Sequence, residues 1–320
     1  MNKKVQMLRG ITIIAVIIIH TCSGLRGGAV LIRPFVNFAV GMFIFLSGYL
    51  TKKKSEYEYR KMIVRRIKKV LIPYVVWSII FSILTGELSS LLCDLLFARS
   101  SHGIYYFIFV YVQLTLLTPL IFRLWDSRYK MIGWIITPAT ILIIRYICLL
   151  KGIMFGFPFQ GELFTFWFIF YYFGIGISNE KIKLSLSREK LFILYIICVM
   201  FQEIEGILWY QNNNFDMATT QLKFSSIITT LTVCAMGYIF VARMESFNRE
   251  SKVVKSLTFI GDCSFGIYMS HMIVIKVIDK LPLELFKIFP INSLFVLTFS
   301  LIGVIVGKKV LGKYSYVLGL

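Results

Sequence analysis

The chain has 320 residues, of which 58% are hydrophobic and 16% charged, with 29 Phe, 17 Tyr and a formal net charge of +19. Soluble domains average about 45–50% apolar and about 25% charged residues, so this composition excludes an ordinary soluble globular domain. A basic excess can mark a nucleic-acid binder, but here the Lys and Arg residues flank apolar runs, where they set topology and meet anionic lipid headgroups.

A hydrocarbon layer about 30 Å thick needs about 20 apolar residues per crossing helix. Runs of that kind fall near residues 9–24, 31–50, 70–86, 104–122, 131–150, 163–178, 191–210, 224–242, 257–278 and 291–307. The pattern predicts an all-α integral membrane protein of about ten transmembrane helices, one membrane-embedded domain over 1–320 with no separate soluble domain. An even number of spans puts both termini on one side. The N-terminus through Arg9, the loops 51–69, 123–130, 179–190 and 243–256, and the tail carry 26 Lys and Arg. The opposite loops and helix ends carry eight, and Arg145 lies within the fifth span. Short cytoplasmic loops hold such an excess, so both termini are expected in the cytoplasm.

The first span opens with Lys3 and Lys4, as a secretory leader does, but "HTCSG" around Cys22 is a poor cleavage site and the segment is expected to be retained. Arg9 and His20 stand eleven residues apart, about three helical turns, which places both on one face about 16 Å apart along the axis. Ionisable groups inside a span are costly and usually face a cavity or a partner, so this pair invites a functional reading beside the structural one of an interhelical hydrogen bond. The second span ends in "FAVGMFIFLSGYL" (38–50), and "RRIKKVLIPY" (65–74) leads into the third. Further on stand "HGIYYFIFVYVQLTLLTPL" (102–120), "FWFIFYYFGIGI" (166–177) and "SFGIYMSHMIVI" (264–275). The six cysteines are scattered without paired spacing, so neither a disulfide framework nor a metal site is expected, and they read as small core residues.

As an ordered set, these segments resemble the acyltransferase-3 family of integral membrane acyltransferases. The Arg, ten residues, then His of the first span looks like the family signature. "SGYL" is similar to its second-span motif, the basic cluster before Pro73 and Tyr74 to its third, and Gly266-Ile267-Tyr268 with His271 to its late Gly-Ile-Tyr-x-x-His. Two positions depart from the pattern: Lys69 stands where Arg is usual, keeping a charge but losing the bidentate fork, and the tryptophan expected after His102 is absent.

The resemblance implies an O-acyltransferase that draws an acyl group, most simply acetyl, from cytoplasmic acyl-CoA. Its acceptor would be a hydroxyl of a capsular or other envelope glycan, or of a lipid-linked saccharide. It further implies a multi-pass protein of a bacterial plasma membrane with acyl-CoA and membrane lipids as its other partners, while the cysteine spacing and the placement of the basic residues lead to the expectation of no metal and no nucleic acid. Arg65, Arg66, Lys68 and Lys69 would hold the phosphates of the donor, with Ser47 and Tyr49 beside them, whereas Lys52, Lys53 and Lys54 read as positive-inside anchors. A hydroxyl attacking a thioester needs a base near neutral pH, which histidine supplies, so His20 is the expected base with Arg9 on its face. His102, Glu203, Arg145 and His271 are expected to line the acceptor's path. Arg145 with Glu203 and Glu205 can instead form a structural ion pair, His271 can serve as a structural hydrogen-bond former, and Asp262 reads as a helix cap. A flippase or transporter of an anionic lipid-linked substrate is the competing function, weakened by the lack of an inverted repeat, and a non-catalytic membrane partner is a third.

Overall fold

The computed structural model describes residues 2–86, 88–92, 95, 105–153, 161–243, 251–282 and 284–320. Among them every apolar run is helical, with no strand. In chain order the helices are α1 (Lys3–Thr21), α2 (Gly27–Val36), α3 (Ala39–Tyr49), α4 (Glu56–Thr85), α5 (Tyr106–Asp126), α6 (Ile132–Leu150), α7 (Phe168–Ser178), α8 (Arg188–Gln211), α9 (Phe215–Thr219), α10 (Phe224–Arg243), α11 (Lys252–Asp262), α12 (Ser264–Lys280) and α13 (Ile291–Leu311).

Among the described residues, eight helical segments are long and apolar enough to cross a membrane, counting α2 with α3 and α9 with α10 as single segments. Helices α11 and α12 make a ninth if taken together, but they are bent by 77°. The remaining run, 163–178, contains α7, whose 11 residues reach only about 16 Å and whose every residue is buried. The ten runs of the sequence are therefore all present, and two of them depart from a straight crossing.

The chain forms two compact units: Met1–Leu46 with Lys183–Ile302, and Ser47–Ile182 with Gly303–Leu320. In the first unit, α1 and α11 meet backbone to backbone. A Cβ at Gly10 would lie 2.1 Å from the Leu257 carbonyl oxygen, and one at Gly261 would lie 1.8 Å from that of Gln6. Only glycine permits this approach, which is how helices pack where lipid supplies no hydrophobic drive between them. The hydroxyls of Thr12, Thr21, Thr229 and Thr232 bond to carbonyls four residues back, so α1 and α10 carry these polar groups without exposing them to lipid. Helix α8 leaves Phe192, Ile193, Ile197, Met200, Phe201, Ile204 and Leu208 exposed, a continuous apolar face suited to acyl chains. Asp262 is no N-terminal cap: it is the last residue of α11, because the helix breaks after it, and its carboxylate accepts a bond from the Gln6 side chain.

In the second unit, α4 starts at a capping box of Ser55 and Glu58 and stops at Gly86, whose φ of 75° needs a left-handed residue. Trp77 on α4 donates to the Leu318 carbonyl at 3.0 Å, tying down the C-terminal turns. Helix α7 is held by aromatic contacts: Tyr172 stacks on Trp125 with centroids 4.2 Å apart, its hydroxyl donates to the Lys130 carbonyl, and Gly133 leaves room for its ring. A Cβ at Gly48 would lie 2.4 Å from the Tyr171 carbonyl oxygen, so the end of α3 and α7 also touch through bare backbone.

Gly10→Ala and Gly261→Ala should each lower stability by about 1–3 kcal/mol or more, since the displaced neighbour is backbone and cannot yield as a side chain would. Gly303→Ala, at a helical position with nothing within 4 Å of the new methyl, should be neutral or stabilising. Thermal unfolding in detergent distinguishes the two outcomes.

Candidate active site

His20 is the penultimate residue of α1 and is half-buried. Beside it lies His271, fully buried on α12, with ring centroids 5.2 Å apart and planes tilted by 51°. The Gly10–Gly261 contact fixes α1 against α11, and the bend after Asp262 turns α12 so that its third turn reaches the end of α1. His271 Nδ1 stands 2.7 Å from the Tyr268 carbonyl oxygen and 3.2 Å from that of Ile267.

The end of α1 exposes carbonyls with no intrahelical partner, and side chains from other helices meet them. Arg33 on α2 donates from Nη1 to the Ile19 carbonyl at 2.8 Å and from Nε to the Thr219 carbonyl at 3.0 Å. It also lies within electrostatic reach of His20, and a cation at a helix C-terminus is favoured by the dipole. Asn292 donates to the Thr21 carbonyl at 3.1 Å, and the Thr21 and Ser293 hydroxyls are 2.6 Å apart. The imidazole of His20 is thus carried on a helix end anchored from two sides. Nearby Cys22 is fully buried.

Arg9 occupies the other end of α1. Its Nη1 donates to Gln6 Oε1 at 3.2 Å, and Gln6 in turn donates to Asp262, so Arg9 is linked through one amide to the carboxylate at the bend. Arg9 and His20 remain separated along the helix, as their spacing requires.

Glu203 on α8 has Lys223 as the cation within its electrostatic reach, and Lys223, 1% exposed, donates to the Ala218 carbonyl at 2.8 Å. Glu205 accepts from the Ser225 amide at 3.2 Å, and the Oε2 of Glu203 is buried with no hydrogen-bond partner. Arg145, the residue the sequence offered to these carboxylates, sits in a π-helical turn of α6 in the second unit.

The residues expected at the donor phosphates belong to the second unit. Arg66 on α4 donates from Nη1 to Thr51 Oγ1 at 2.7 Å and from Nη2 to the Leu50 carbonyl at 3.4 Å, while Thr51 donates to the Ser47 carbonyl at 2.7 Å. This fastens the "SGYL" end of α3 to the basic stretch of α4. Ser47 Oγ is buried, and Tyr49 is half-buried. Arg65, Lys68 and Lys69 are exposed along α4. An open cleft of about 930 Å³ next to them is lined by Lys53, Lys54, Tyr57, Arg60, Arg123 and Asp126. Asp126 accepts from Lys53 at 2.6 Å and Lys181 at 2.8 Å, and that carboxylate pushes the Lys53 ammonium up. His102 lies outside the described residues. Among the described residues five cysteines are free and buried, and no group of three or more His, Cys, Asp or Glu is placed to hold a metal.

The family model of the acyltransferase domain of the acyltransferase-3 family matches residues 2–308, nearly the whole chain. The chain belongs to the acyltransferase-3 family. No curated protein and no solved structure matches it. In this member of the family the two motifs furthest apart in sequence, the Arg-x10-His of α1 and the Gly-Ile-Tyr-x-x-His of α12, are neighbours in space. Sequence reasoning passed over Arg33, Lys223 and Thr51. The first two carried a signal, each being a lone cation within an otherwise apolar helical segment, whereas Thr51 carried none because its role depends on where α4 returns.

Arg33→Met should lower stability by about 1–3 kcal/mol, because it strips donors from the Ile19 and Thr219 carbonyls while keeping the apolar stem. Detergent melting curves of Arg33→Met and wild type test this, and an unchanged midpoint would contradict it.

Proposed function

We propose that the protein is a membrane O-acyltransferase that moves an acyl group, acetyl in the simplest case, from acyl-CoA to a hydroxyl of an envelope glycan or lipid-linked saccharide. The reading rests on one observation above all: the first-span histidine of an acyltransferase-3 chain stands at an anchored helix end against a second histidine, within a helical membrane protein.

In this reaction His20 takes the proton of the acceptor hydroxyl as its oxygen attacks the thioester carbonyl carbon. The C–O bond forms, the C–S bond breaks, and the coenzyme A thiolate leaves with the proton that His20 gives up. Arg33 holds the end of α1, and so the imidazole, in place. Arg66 offers the remaining face of its guanidinium, with Arg65, Lys68 and Lys69 on the same helix, to the donor phosphates, and Lys53, Lys54, Arg60 and Arg123 enlarge that basic surface. The distribution of Lys and Arg supports placing this surface in the cytoplasm, where acyl-CoA is found.

Cells carrying the wild type, His20→Ala or no gene are compared by mass spectrometry of their surface glycans. The mass increment of one acyl group should appear only with the wild type, with transfer falling by about 10²–10⁴-fold in His20→Ala. Equal acylation in all three, with less glycan at the surface when the gene is missing, would replace the transferase by a transporter.

A further inference from the structure

The second histidine carries more information than its position. A neutral imidazole has one N–H and one bare nitrogen, and carbonyl oxygens can only accept. Because His271 Nδ1 faces the carbonyls of Tyr268 and Ile267, it holds the proton, and Nε2 is left as a lone-pair acceptor. That Nε2 is buried and has no hydrogen-bond partner. A charged His271 would bury a second N–H donor and a cation in the same place, which is more costly still. Buried acceptors are almost always satisfied, so an orphan one calls for a ligand or a moving partner.

The partner within reach is His20. Two imidazoles sharing an N–H···N bond of ordinary length have centroids roughly 5 Å apart. The observed separation is 5.2 Å, and the 51° tilt is removed by rotating the half-buried His20 ring about a soft torsion. Hydrogen bonds of this kind commonly tighten only when substrate is bound.

We propose that His271 is the positioning residue for the base: its Nε2 accepts the N–H of His20, fixing His20 in the tautomer whose other nitrogen is bare and faces the acceptor hydroxyl. When His20 takes the hydroxyl proton, the resulting imidazolium keeps both of its protons and donates one to His271, which stays neutral throughout. The proton then leaves from His20 with the thiolate. The inference rests on His20 being the base and adds the group that orients it, in the way a third residue orients the base of a nucleophile–base pair.

The chain has three histidines, so ring-nitrogen NMR of ¹⁵N-histidine-labelled protein in lipid bilayers can resolve each by substitution. The expected spectrum has His271 protonated at Nδ1 and bare at Nε2, with the Nε2 resonance moving in His20→Ala. His271 protonated at Nε2, or an Nε2 resonance indifferent to His20→Ala, overturns the proposal whether or not transfer is observed. Transfer from radiolabelled acetyl-CoA to the glycan fraction of expressing membranes supplies the second arm. His271→Asn keeps a donor for the Tyr268 and Ile267 carbonyls but lacks the distal acceptor, whereas His271→Gln restores an acceptor at the distal position. The expected result is a fall in kcat of roughly 10–100-fold with unchanged KM for acetyl-CoA in His271→Asn, and partial recovery in His271→Gln. A purely structural histidine gives the reverse order, His271→Asn active and His271→Gln impaired. Undiminished transfer by His20→Ala would remove the base reading instead, a result separate from the tautomer of His271.

Discussion

The first unit depends on a contact made by two residues without side chains. At Gly10 and Gly261 the backbones of α1 and α11 come closer than any Cβ allows. In a lipid environment, apolar side chains gain little by leaving the solvent, so close backbone approach, dispersion and interhelical hydrogen bonds must hold the helices together. The contact also has a geometric result. With α1 seated on α11, the bend after Asp262 determines where α12 runs, and His271 comes to lie beside His20 although 251 positions separate them in the chain.

The second unit repeats the device at Gly48, where the end of α3 rests on the carbonyl of Tyr171. There it is reinforced by Arg66, which ties Thr51 and Leu50 to α4. Each unit thus combines a bare-backbone contact with an arginine satisfying main-chain or hydroxyl oxygens near a helix end. Arginine suits this task because its fixed fork reaches several acceptors at once and never loses its charge.

The helical architecture was legible in the sequence because lipid forbids unsatisfied backbone, and a long apolar run has little choice but to be helical. The breaks were less legible. Nothing in "TFIGDCSFGIYMSH" distinguishes a continuous span from one bent at Cys263, since the bend is set by what packs against Gly261. The run around Phe168–Ser178 reads as a crossing by hydropathy but is a short helix enclosed on all sides. Of the site, the 3.6-residue period places Arg9 and His20 on one face of α1, but it says nothing about which helix faces them. Hence the closeness of His271, the anchoring by Arg33 and the Lys223 cation facing Glu203 are tertiary facts, invisible to a local pattern.

The enclosure of α7 bears on how such a chain can drift. A helix with a lipid-facing side, such as α8, can exchange one bulky apolar residue for another there, because acyl chains adapt to any shape. Helix α7 has no such side: every one of its 11 residues meets fixed protein atoms, from the Tyr172 ring stacked on Trp125 to the Tyr171 hydroxyl bonded to Thr118. Change in α7 therefore requires matching replacements in its neighbours, and the greasiest-looking stretch of the sequence is the one with least room to change alone.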